Sequence, residues 1–508
     1  MRQRLMYAGF GVLATLVGMA AGHLVAALID PAASPVLAVG STVIDLTPTP
    51  VKEWAVATFG TADKPILVGS VTLGALLLAA IGGLLARRRL ASGVLVLLAL
   101  VAVAGLAAVA RPGAGPLDVV PALATALTGV GALWWLTRSA AVPASAPDRT
   151  PPPGAELPSR RGVLIATAVL TAAAAAAGGV GRLVAGLRAD PADVALPGPT
   201  DPAPPFPTSL DRTVPGITPF RTPNRDFYRI DTRLTLPTLG VEDYELVVDG
   251  DVENRLSLSF DDLLAMDLIE RDITLTCVSN DVGGPYVGGA RWLGVRLTDV
   301  LDLAGVGHTA DQILSTDVDG MTISTPLAVA TDGRDAMLAV GMNGQALPRE
   351  HGFPVRMVVP GLYGFVSACK WITRMTLTTY DAQEAYWTER DWAVEAPIKI
   401  ASRIDTPRSF EEIGAGRTFI AGIAWAQHRG IGGVEVQIDG GDWQPAELGP
   451  SAGLDYWRQW YLPWEPDPGE YSLAVRAVTE AGEVQTPAKA MPFPDGASGY
   501  QRIVVRVG

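Results

Sequence analysis

The feature that most constrains this chain is a set of apolar stretches in its first 190 residues. A helix of about 20 apolar residues spans the hydrocarbon core of a bilayer. Five stretches reach that length, over residues 5–29, 65–86, 91–110, 117–136 and 162–187. The sequence therefore predicts an all-α transmembrane bundle over residues 1–188, an anchor of about five helices surrounded by membrane lipid.

The short segments that flank these stretches predict an orientation, because Lys and Arg are retained on the cytoplasmic side. Arginines cluster before the first stretch, after the second, and between the fourth and fifth: Arg2, Arg4, Arg87, Arg88, Arg89, Arg138, Arg149, Arg160 and Arg161. The other two connections are poor in basic residues. We expect a multi-pass protein of the plasma membrane with a cytoplasmic N-terminus and an extracytoplasmic C-terminal half.

The start of the fifth stretch has two interpretations. It reads Ser159-Arg160-Arg161-Gly162-Val163-Leu164, followed by a mildly apolar run. This pattern is typical of a twin-arginine export signal placed inside a chain. It is equally typical of two arginines that hold a helix end on the cytoplasmic side.

The predicted spans offer little chemistry of their own. A transmembrane haem is usually bound by paired histidines, and among the four histidines of the chain His23 alone falls within a span. We therefore predict no haem in this chain. A transporter is disfavoured because no Asp, Glu or Lys occupies the middle of a span. Anchoring, or docking to a redox partner in the membrane, is the better interpretation of these spans than haem binding or transport.

The second half of the chain has the composition of a soluble protein. Residues 189–216 precede it with eight prolines, which predict a semi-rigid linker: Pro191, Pro197, Pro199, Pro202, Pro204, Pro205, Pro207 and Pro215. Most of the acidic residues behind the net charge of −13 follow this segment, and no run of Lys or Arg accompanies them. Nucleic acid is therefore excluded as an expected partner.

The position of Cys277 makes it the leading candidate for a chemical role. Residues 271–277 alternate as a strand should, and an irregular segment, Val278 to Gly284, follows them. Upstream, 244–250 predicts another strand and 259–267 a helix capped by Ser259. A lone cysteine at a strand end is either a small buried hydrophobe or a soft thiolate ligand for a metal. The spacing alone leaves both open.

Four separated blocks resemble, in order, the sulfite oxidase family of molybdenum enzymes. They are Leu275-Thr276-Cys277-Val278-Ser279-Asn280, then Trp292-Leu293-Gly294-Val295, then Ala339-Val340-Gly341-Met342-Asn343-Gly344, and finally His351-Gly352-Phe353-Pro354-Val355-Arg356 with Lys370-Trp371. The resemblance implies a mixed α+β domain over residues 217–402 that binds a molybdenum–molybdopterin cofactor. It implies that Cys277 is the metal ligand and that Asn280 belongs to the cofactor-binding loop.

The same resemblance implies roles for other side chains. His351, Arg356 and Lys370 match the residues that surround the cofactor's phosphate, although singly they fit a turn histidine, a surface ion pair and a solvated lysine. Asn224 matches a residue of the catalytic pocket over the metal. Phe227 and Tyr228 match cofactor-binding pocket walls. The implied activity is a two-electron oxygen-atom transfer on a small-molecule substrate.

Two departures from the family bear on the substrate. Sulfite oxidases place arginines after the cysteine loop, where this chain has Asp281 and Val282, and the pocket tyrosine of the family appears here as Trp392. A carboxylate opposes an anionic substrate. We therefore expect a neutral, sulfoxide-like substrate, with electrons exchanged with a separate electron-transfer protein. The alternative is a redox-silent receptor or structural protein of the cell envelope on the same fold.

Residues 403–508 predict an immunoglobulin-like β-sandwich. Four alternating segments read as strands, and Gly432-Gly433 and Asp439-Gly440-Gly441 read as turns. The resemblance implies a domain that pairs two subunits, hence a possible homodimer. Trp443, Trp457, Trp460 and Trp464 fit either interface anchors or core. Cys369 fits a structural role, and a Cys277–Cys369 disulfide is the alternative that would exclude metal binding.

Overall fold

The computed structural model describes residues 2–140, 160–187 and 194–508. The chain divides into two compact units, one of residues 1–189 with 231–238 and the other of residues 190–230 with 239–508. Ser159 of the predicted export signal and residues 189–193 of the predicted linker lie outside the described residues. Each unit is described by itself.

The first unit is helical. Its helices are α1 (Arg2–Leu28), α2 (Pro35–Leu46), α3 (Thr49–Phe59), α4 (Asp63–Ala86), α5 (Leu90–Val109), α6 (Val120–Ala140) and α7 (Arg160–Leu187). Among the described residues, five helical segments are long and apolar enough to cross a membrane: Gln3–Leu28, Asp63–Ala86, Leu90–Val109, Pro116–Ala140 and Gly162–Gly181. The expectation of a helical region with long apolar helices is confirmed.

Small residues allow α1 to pack closely against its neighbours in this unit. A Cβ atom added at Gly11 would overlap the carbonyl oxygen of Ala79 in α4, and one at Gly18 would lie 2.7 Å from the carbonyl oxygen of Thr125 in α6. Glycine therefore brings the backbones together, as is common between helices in membranes. Residues 231–238 also belong to this unit, where Asp231 forms an ion pair of 2.7 Å with Lys64.

The second unit begins with two sheets. One has the order β2-β1-β10-β5-β6, formed by β1 (Glu245–Gly250), β2 (Leu256–Ser259), β5 (Gln312–Asp317), β6 (Thr322–Pro326) and β10 (Ile372–Thr378). The other has the order β3-β4-β7-β8, formed by β3 (Leu268–Thr276), β4 (Val287–Arg296), β7 (Met337–Met342) and β8 (Gln345–Ala346), with β9 (Arg356–Val358) paired to β7.

Four short helices complete this region: α8 (Phe260–Leu264), α9 (Leu297–Ala304), α10 (Leu327–Ala330) and α11 (Gly364–Ser367). The predicted capped helix is confirmed, because Ser259 accepts a hydrogen bond from the backbone N–H of Asp262 while the Asp262 carboxylate accepts one from the Ser259 N–H. Both sheets and these helices share one hydrophobic core.

The prediction of a Pro-rich spacer was wrong for its described part. The backbone N–H of Thr200 donates to the carbonyl of Leu268, and Asp201 pairs with Ile269 as a parallel bridge along β3. Phe206 packs against Phe220 and Tyr456, with ring centroids 5.9 and 5.7 Å apart. Prolines are tolerated at a sheet edge, where the residues between them supply the N–H groups. This segment is therefore part of the second unit's fold.

The C-terminal region is β-rich. One sheet has the order β11-β13-β17-β16, from β11 (Ala401–Thr406), β13 (Thr418–Trp425), β16 (Glu447–Leu448) and β17 (Arg458–Trp464). The other has the order β12-β19-β18-β14-β15, from β12 (Glu412–Ile413), β14 (Ile431–Ile438), β15 (Trp443–Pro445), β18 (Gly469–Thr479) and β19 (Gln501–Val507). Side chains from both sheets form one core.

The predicted strands are confirmed here, but one predicted turn was wrong. Gly432 and Gly433 lie inside β14, where the register with β18 shifts between Ile431 and Gly433. Glycine marks a bulge in this strand, because a Cβ at Gly432 would lie 2.9 Å from the carbonyl oxygen of Thr479. The turn at Asp439 and Gly440 is confirmed, with positive φ at both residues.

The tryptophans of this region serve mainly as core. Trp457 and Trp460 are fully buried and Trp464 is 9% exposed. The indole N–H of Trp457 donates to the carbonyl of Phe220 at 2.8 Å. Trp443 is half-buried beneath the guanidinium of Arg476. Of the two interpretations of these residues, core packing fits Trp457, Trp460 and Trp464.

Candidate functional site

Cys277 stands immediately after β3 and is 9% exposed. Its backbone N–H donates to the carbonyl of Tyr286 at 3.0 Å, and the Asn280 carboxamide oxygen accepts the N–H of Tyr286 at 2.8 Å. Burial raises the pKa of the Cys277 thiol, while hydrogen bonds from Ser279 and the charge of Lys370 oppose that rise. The loop therefore holds a thiol at a fixed point, with donors that favour the thiolate.

Arg356 is a buried cation at the start of β9, 5% exposed. Its guanidinium lies 5.1 Å above the ring of Trp292. Its Nη1 donates to the carbonyl of His351 at 3.1 Å and its Nη2 to that of Ala368 at 3.5 Å. Its Nε has no hydrogen-bond partner, and the part of the chain that the structure describes supplies no carboxylate to it. Burial lowers its pKa to about 10.

Lys370 is held beside Arg356 by a β-bridge between the two residues. Gly352 makes this approach possible, because its φ is +110° and a Cβ there would lie 2.9 Å from the Cβ of Arg356. The ammonium of Lys370 lies 4.5 Å from the ring centroid of Trp371 and donates to the carbonyl of Glu350 at 3.3 Å. Two cations thus share one pocket wall.

An amide network joins Asn224 to this wall. The Nε2 of His351 and the carbonyl oxygen of Asn224 are 2.9 Å apart. The side chain of Asn343 donates to the carboxamide oxygen of Asn224 at 2.6 Å, and Asn224 in turn donates to the carbonyl of Met342 at 3.3 Å. Burial lowers the pKa of His351 to about 4, and the charges of Arg356 and Lys370 lower it further. His351 is therefore neutral at physiological pH.

Two aromatic rings extend from Asn224 toward the thiol. Phe227 is 6% exposed and stacks on Tyr228, with centroids 5.2 Å apart, and meets His351 edge-on at 5.4 Å. Burial raises the pKa of Tyr228; the charge of Cys277 raises it further and that of Arg356 lowers it. Tyr228 is therefore within electrostatic reach of both the thiol and the buried cation.

These contacts bring the residues predicted from the sequence into one site. The site contains Cys277 and Asn280 from the loop after β3, Asn224, Phe227 and Tyr228 from the preceding segment, and His351, Arg356 and Lys370 around β9. The Asn280 carboxamide is engaged with the loop backbone. A thiol on one side and two cations on the other, of which Arg356 has an unpartnered Nε, suit a ligand that is both a soft-metal complex and an anion.

Comparison with known proteins identifies that ligand class. The family described as "Oxidoreductase molybdopterin binding domain" matches residues 233–387. Mitochondrial sulfite oxidase of Homo sapiens is 33% identical over 313 residues, which cover 52% of this chain and 57% of that protein. Sulfite oxidase of Gallus gallus is 31% identical over 319 residues, covering 52% of this chain and 68% of that protein. This chain belongs to the sulfite oxidase family.

A solved structure agrees. The sulfane dehydrogenase SoxCD from Paracoccus pantotrophus superposes with a TM-score of 0.50 at 26% identity, over 57% of this chain and 82% of that one. The chain spans just over half the length of the first curated relatives that it matches. As a member of this family it is an oxidoreductase with a molybdenum–pterin cofactor.

The pocket itself fits this cofactor. A buried guanidinium without a counter-ion costs several kcal/mol unless an anion compensates it, and a phosphate on the pterin is such an anion. The unpartnered Nε of Arg356 is a donor that the fold leaves unsatisfied. Cys277 offers the sulfur that a soft metal prefers. No disulfide joins Cys277 to Cys369 in the described residues, so the alternative that would exclude metal binding is absent.

The sequence did not single out every residue at this site. Asn343 adopts a positive φ of 55° and orients Asn224, and Trp292 forms the floor under Arg356. Both residues lie in the sequence blocks that resemble the family, but their spacing alone predicted no function for either of them. Tyr363 is a third such residue: burial raises its pKa to about 12, and the charge of Cys277 adds to that rise.

Proposed function

We propose that this chain is a membrane-anchored, extracytoplasmic oxidoreductase that performs two-electron oxygen-atom transfer on a neutral, sulfoxide-like substrate. The observation that carries the molybdenum–pterin assignment to these particular residues is Arg356, buried beside the Cys277 pocket with carbonyl oxygens as its hydrogen-bond partners. When bound, the cofactor supplies the redox chemistry.

The residues of the chain divide the remaining work. Cys277 would hold the metal, and Arg356, Lys370 and His351 would bind the phosphate. Neutral His351 donates or accepts a hydrogen bond without adding charge. Phe227 and Tyr228 would form the side of the pocket that contacts the pterin. Asn224 would face the substrate, since its carboxamide is fixed by Asn343 and cannot rotate freely. Asn280 would keep the thiolate loop closed.

The preference for a neutral substrate rests on the loop that follows the thiol. Asp281 and Val282 are both exposed there, and no arginine replaces them within the loop through Gly284. A carboxylate at the approach lowers the local concentration of anions. Sulfite is therefore a poorer substrate than a sulfoxide in this proposal.

Location and assembly are part of the same proposal. The five apolar helical segments support membrane anchoring, and the arginine distribution supports an extracytoplasmic catalytic region with twin-arginine export. We assign residues 1–188 to the anchor, a catalytic domain that starts by Val194 and ends near 402, and 403–508 to an immunoglobulin-like domain. The shared core of its two sheets supports that last assignment. A homodimer and a separate electron-transfer partner complete the proposal.

The first experiment measures molybdenum and pterin in the full chain purified from membranes in detergent. Cys277→Ser is compared with Cys369→Ala, a change at a buried cysteine outside the proposed ligand set. We expect stoichiometric molybdenum in the wild type and in Cys369→Ala, and an altered paramagnetic signature in Cys277→Ser. A well-folded, exported chain without molybdenum or pterin would support the redox-silent receptor instead.

A second experiment tests the substrate class. We expect higher kcat/KM for a dialkyl sulfoxide than for sulfite. Asp281→Arg should raise kcat/KM for sulfite by about tenfold, because the changed charge attracts the anion. Asp261→Arg, a change at an exposed carboxylate in the first turn of α8, is the control. Sulfite turnover that exceeds sulfoxide turnover in the wild type would exclude a neutral substrate and leave the metal site in place.

A further inference from the structure

Five aromatic side chains form a cluster outside the cofactor pocket: Phe365, Tyr386, Trp387, Trp392 and Phe493. The centre is Trp392, whose ring lies 5.6 Å from Phe365, 6.1 Å from Trp387 and 5.2 Å from Phe493. Tyr386 meets Trp387 edge-on at 5.0 Å. Trp392 was expected at the position of the family's pocket tyrosine, and here it joins the catalytic region to the C-terminal region.

The cluster reaches the surface of the second unit as an apolar patch. Val394 is 40% exposed, Met491 73% and Phe493 37%. The backbone N–H of Ala393 donates to the carbonyl of Pro494 at 3.2 Å, which holds the two contributing segments side by side. Large apolar side chains grouped in this way on a soluble region mark an interaction site.

Acidic side chains surround this patch. Glu384, Glu389, Asp391 and Glu395 are exposed and lie within three residues of Trp387 or Trp392 in the chain. The neighbouring bases are largely withdrawn or paired. The guanidinium of Arg390 lies 3.6 Å above the ring of Tyr386 and 3.4 Å from the carboxylate of Glu389, and Lys399 forms an ion pair with Asp495 at 2.9 Å, so Glu384, Asp391 and Glu395 carry most of the remaining charge. Lys489 is exposed and adds one positive charge to the segment that contains Met491. The rim is therefore negative overall.

One short helix links this patch to the thiol loop. A Cβ at Gly364, the first residue of α11, would lie 3.8 Å from the carbonyl oxygen of Thr276, the residue before Cys277. Phe365, the next residue of α11, contacts Trp392. The hydroxyl of Tyr363 lies 2.5 Å from the Cβ position of Gly496, three residues after Phe493. Little protein separates the thiolate strand from the exposed aromatic patch at this point.

We infer that this acidic-rimmed aromatic patch docks a positively charged one-electron redox protein. The inference rests on the proposed function and names its electron-transfer partner by charge. An oxygen-atom transfer moves two electrons, so two partner molecules, each changing its own centre by one electron, exchange with the enzyme in turn. A small apolar contact within a charged rim gives the fast, weak association that such exchange needs.

The test measures binding of a basic mono-haem cytochrome c to the immobilised full chain in detergent, by surface plasmon resonance at low and high salt. The charge-reversal variant Glu389→Lys/Glu395→Lys should weaken binding about tenfold at low salt, with the loss mainly in the association rate. Met491→Ser/Phe493→Ser should speed dissociation. Binding of the charge-reversal variant should converge with that of the wild type at high salt, because salt screens the charges, whereas the Met491/Phe493 variant should still dissociate faster than the wild type.

The control is Glu465→Lys/Asp467→Lys. These exposed acids lie in the connection before β18, at the end of the β18–β19 pair opposite Gln501, and the two ends are about 20 Å apart along the strands. Equal weakening in this variant, or unchanged binding in the Glu389/Glu395 variant, overturns the inference. Dissociation of a dimer by Met491→Ser/Phe493→Ser would also overturn it and assign the patch to a second copy of the chain.

Molybdenum content is measured on the same samples. Absent molybdenum contradicts the proposed function itself. Stoichiometric molybdenum together with cytochrome binding that ignores the patch contradicts the docking inference alone. Reduction or oxidation of a small inorganic redox dye at unchanged rate in the charge-reversal variant would verify that the cofactor pocket is intact.

Discussion

Arg291 and Arg356 belong to the same sheet, and each has its guanidinium over an aromatic ring, but their electrostatic surroundings differ. Arg291 lies 4.3 Å above Phe206 and forms an ion pair of 2.7 Å with Asp272 on the adjacent strand. Hydrogen bonding to Asp272 raises its pKa. Arg356 lies over Trp292, and burial lowers its pKa to about 10. Both arginines are held rigidly, but the described chain gives a counter-ion to Arg291 and none to Arg356.

The presence or absence of a counter-ion distinguishes an arginine with a structural role, such as Arg291, from one available to bind an anionic ligand, such as Arg356. Asp272 stands directly opposite Arg291 in the β3–β4 register, so the chain itself compensates that cation. Burying an uncompensated charge costs several kcal/mol, and a fold retains such a residue when something outside the chain offsets the cost. In the proposed function, the anion on the pterin would be that compensation.

The largest effect is expected for Arg356→Met. Removing one partner of a buried charge pair costs about 2–5 kcal/mol, so the cofactor should dissociate during purification and molybdenum content should fall to background. The cofactor-free chain should respond in the opposite sense, with a higher melting temperature than cofactor-free wild type, because the uncompensated cation is gone. Metal analysis and thermal melting of chains made with and without cofactor synthesis measure both. A lower melting temperature for the cofactor-free variant would show that Arg356 is structural.

Arg291→Met is the matched control. Unlike Arg356→Met, it should not raise the melting temperature of the cofactor-free chain. It leaves the carboxylate of Asp272 buried without its partner, which costs on the order of 3 kcal/mol with or without the cofactor. The melting temperature should fall in both forms, while molybdenum per folded chain stays unchanged. Selective loss of molybdenum from this variant would remove the distinction between the two arginines.

The contrast also explains how much the sequence could predict. The strand that ends at Cys277, the helix capped by Ser259 and the strands of the C-terminal region follow from local periodicity and capping, which depend on neighbouring residues. The bulge at Gly432 depends on the distant Thr479, and the docking of Asp201 on β3 depends on the open edge beside Ile269. Neither partner is visible from the local pattern.

The same limit applies at the site. Arg356 and Lys370 could be assigned to phosphate binding because of a resemblance, while the sequence alone could not distinguish Arg356 from an ion-paired arginine such as Arg291. The distinction lies in which carboxylates approach each guanidinium in three dimensions. Asn343 and Trp292 likewise lie in sequence blocks that resemble the family. Their contacts with Asn224 and Arg356 form only in the folded sheet, so the sequence could not predict them.

His351 gives a smaller effect that depends on pH. Its pKa is lowered to about 4 in the cofactor-free fold, below its ordinary value of 6.5. The unfolded chain therefore binds a proton more readily between these values, so stability is present above pH 6.5 and is lost as the pH falls toward 4, by at most about 1.4 kcal/mol per pH unit. His351→Gln should flatten this part of the profile of melting temperature against pH. An unchanged slope would show that His351 is not the group responsible.

Asp455 extends the comparison to carboxylates and should give the smallest effect. Unlike Asp272, it has no arginine in ion-pair contact among the described residues; its nearest basic atom is Nδ1 of His428 at 3.6 Å, and its Oδ1 accepts no hydrogen bond. Burial raises its pKa, with the charge of His428 opposing that rise, so ionisation above pH 4 costs stability in the folded state. Asp455→Asn should therefore raise the melting temperature slightly at pH 7, by less than about 1 kcal/mol of stability. The gain should vanish below about pH 3, where the carboxyl is largely protonated in both states. Melting curves at both pH values, with Asp467→Asn as an exposed control, measure the gain. A loss of stability at pH 7 would mean that the pair with His428 outweighs the burial of the charge, and that this carboxylate, like Asp272, is compensated within the fold.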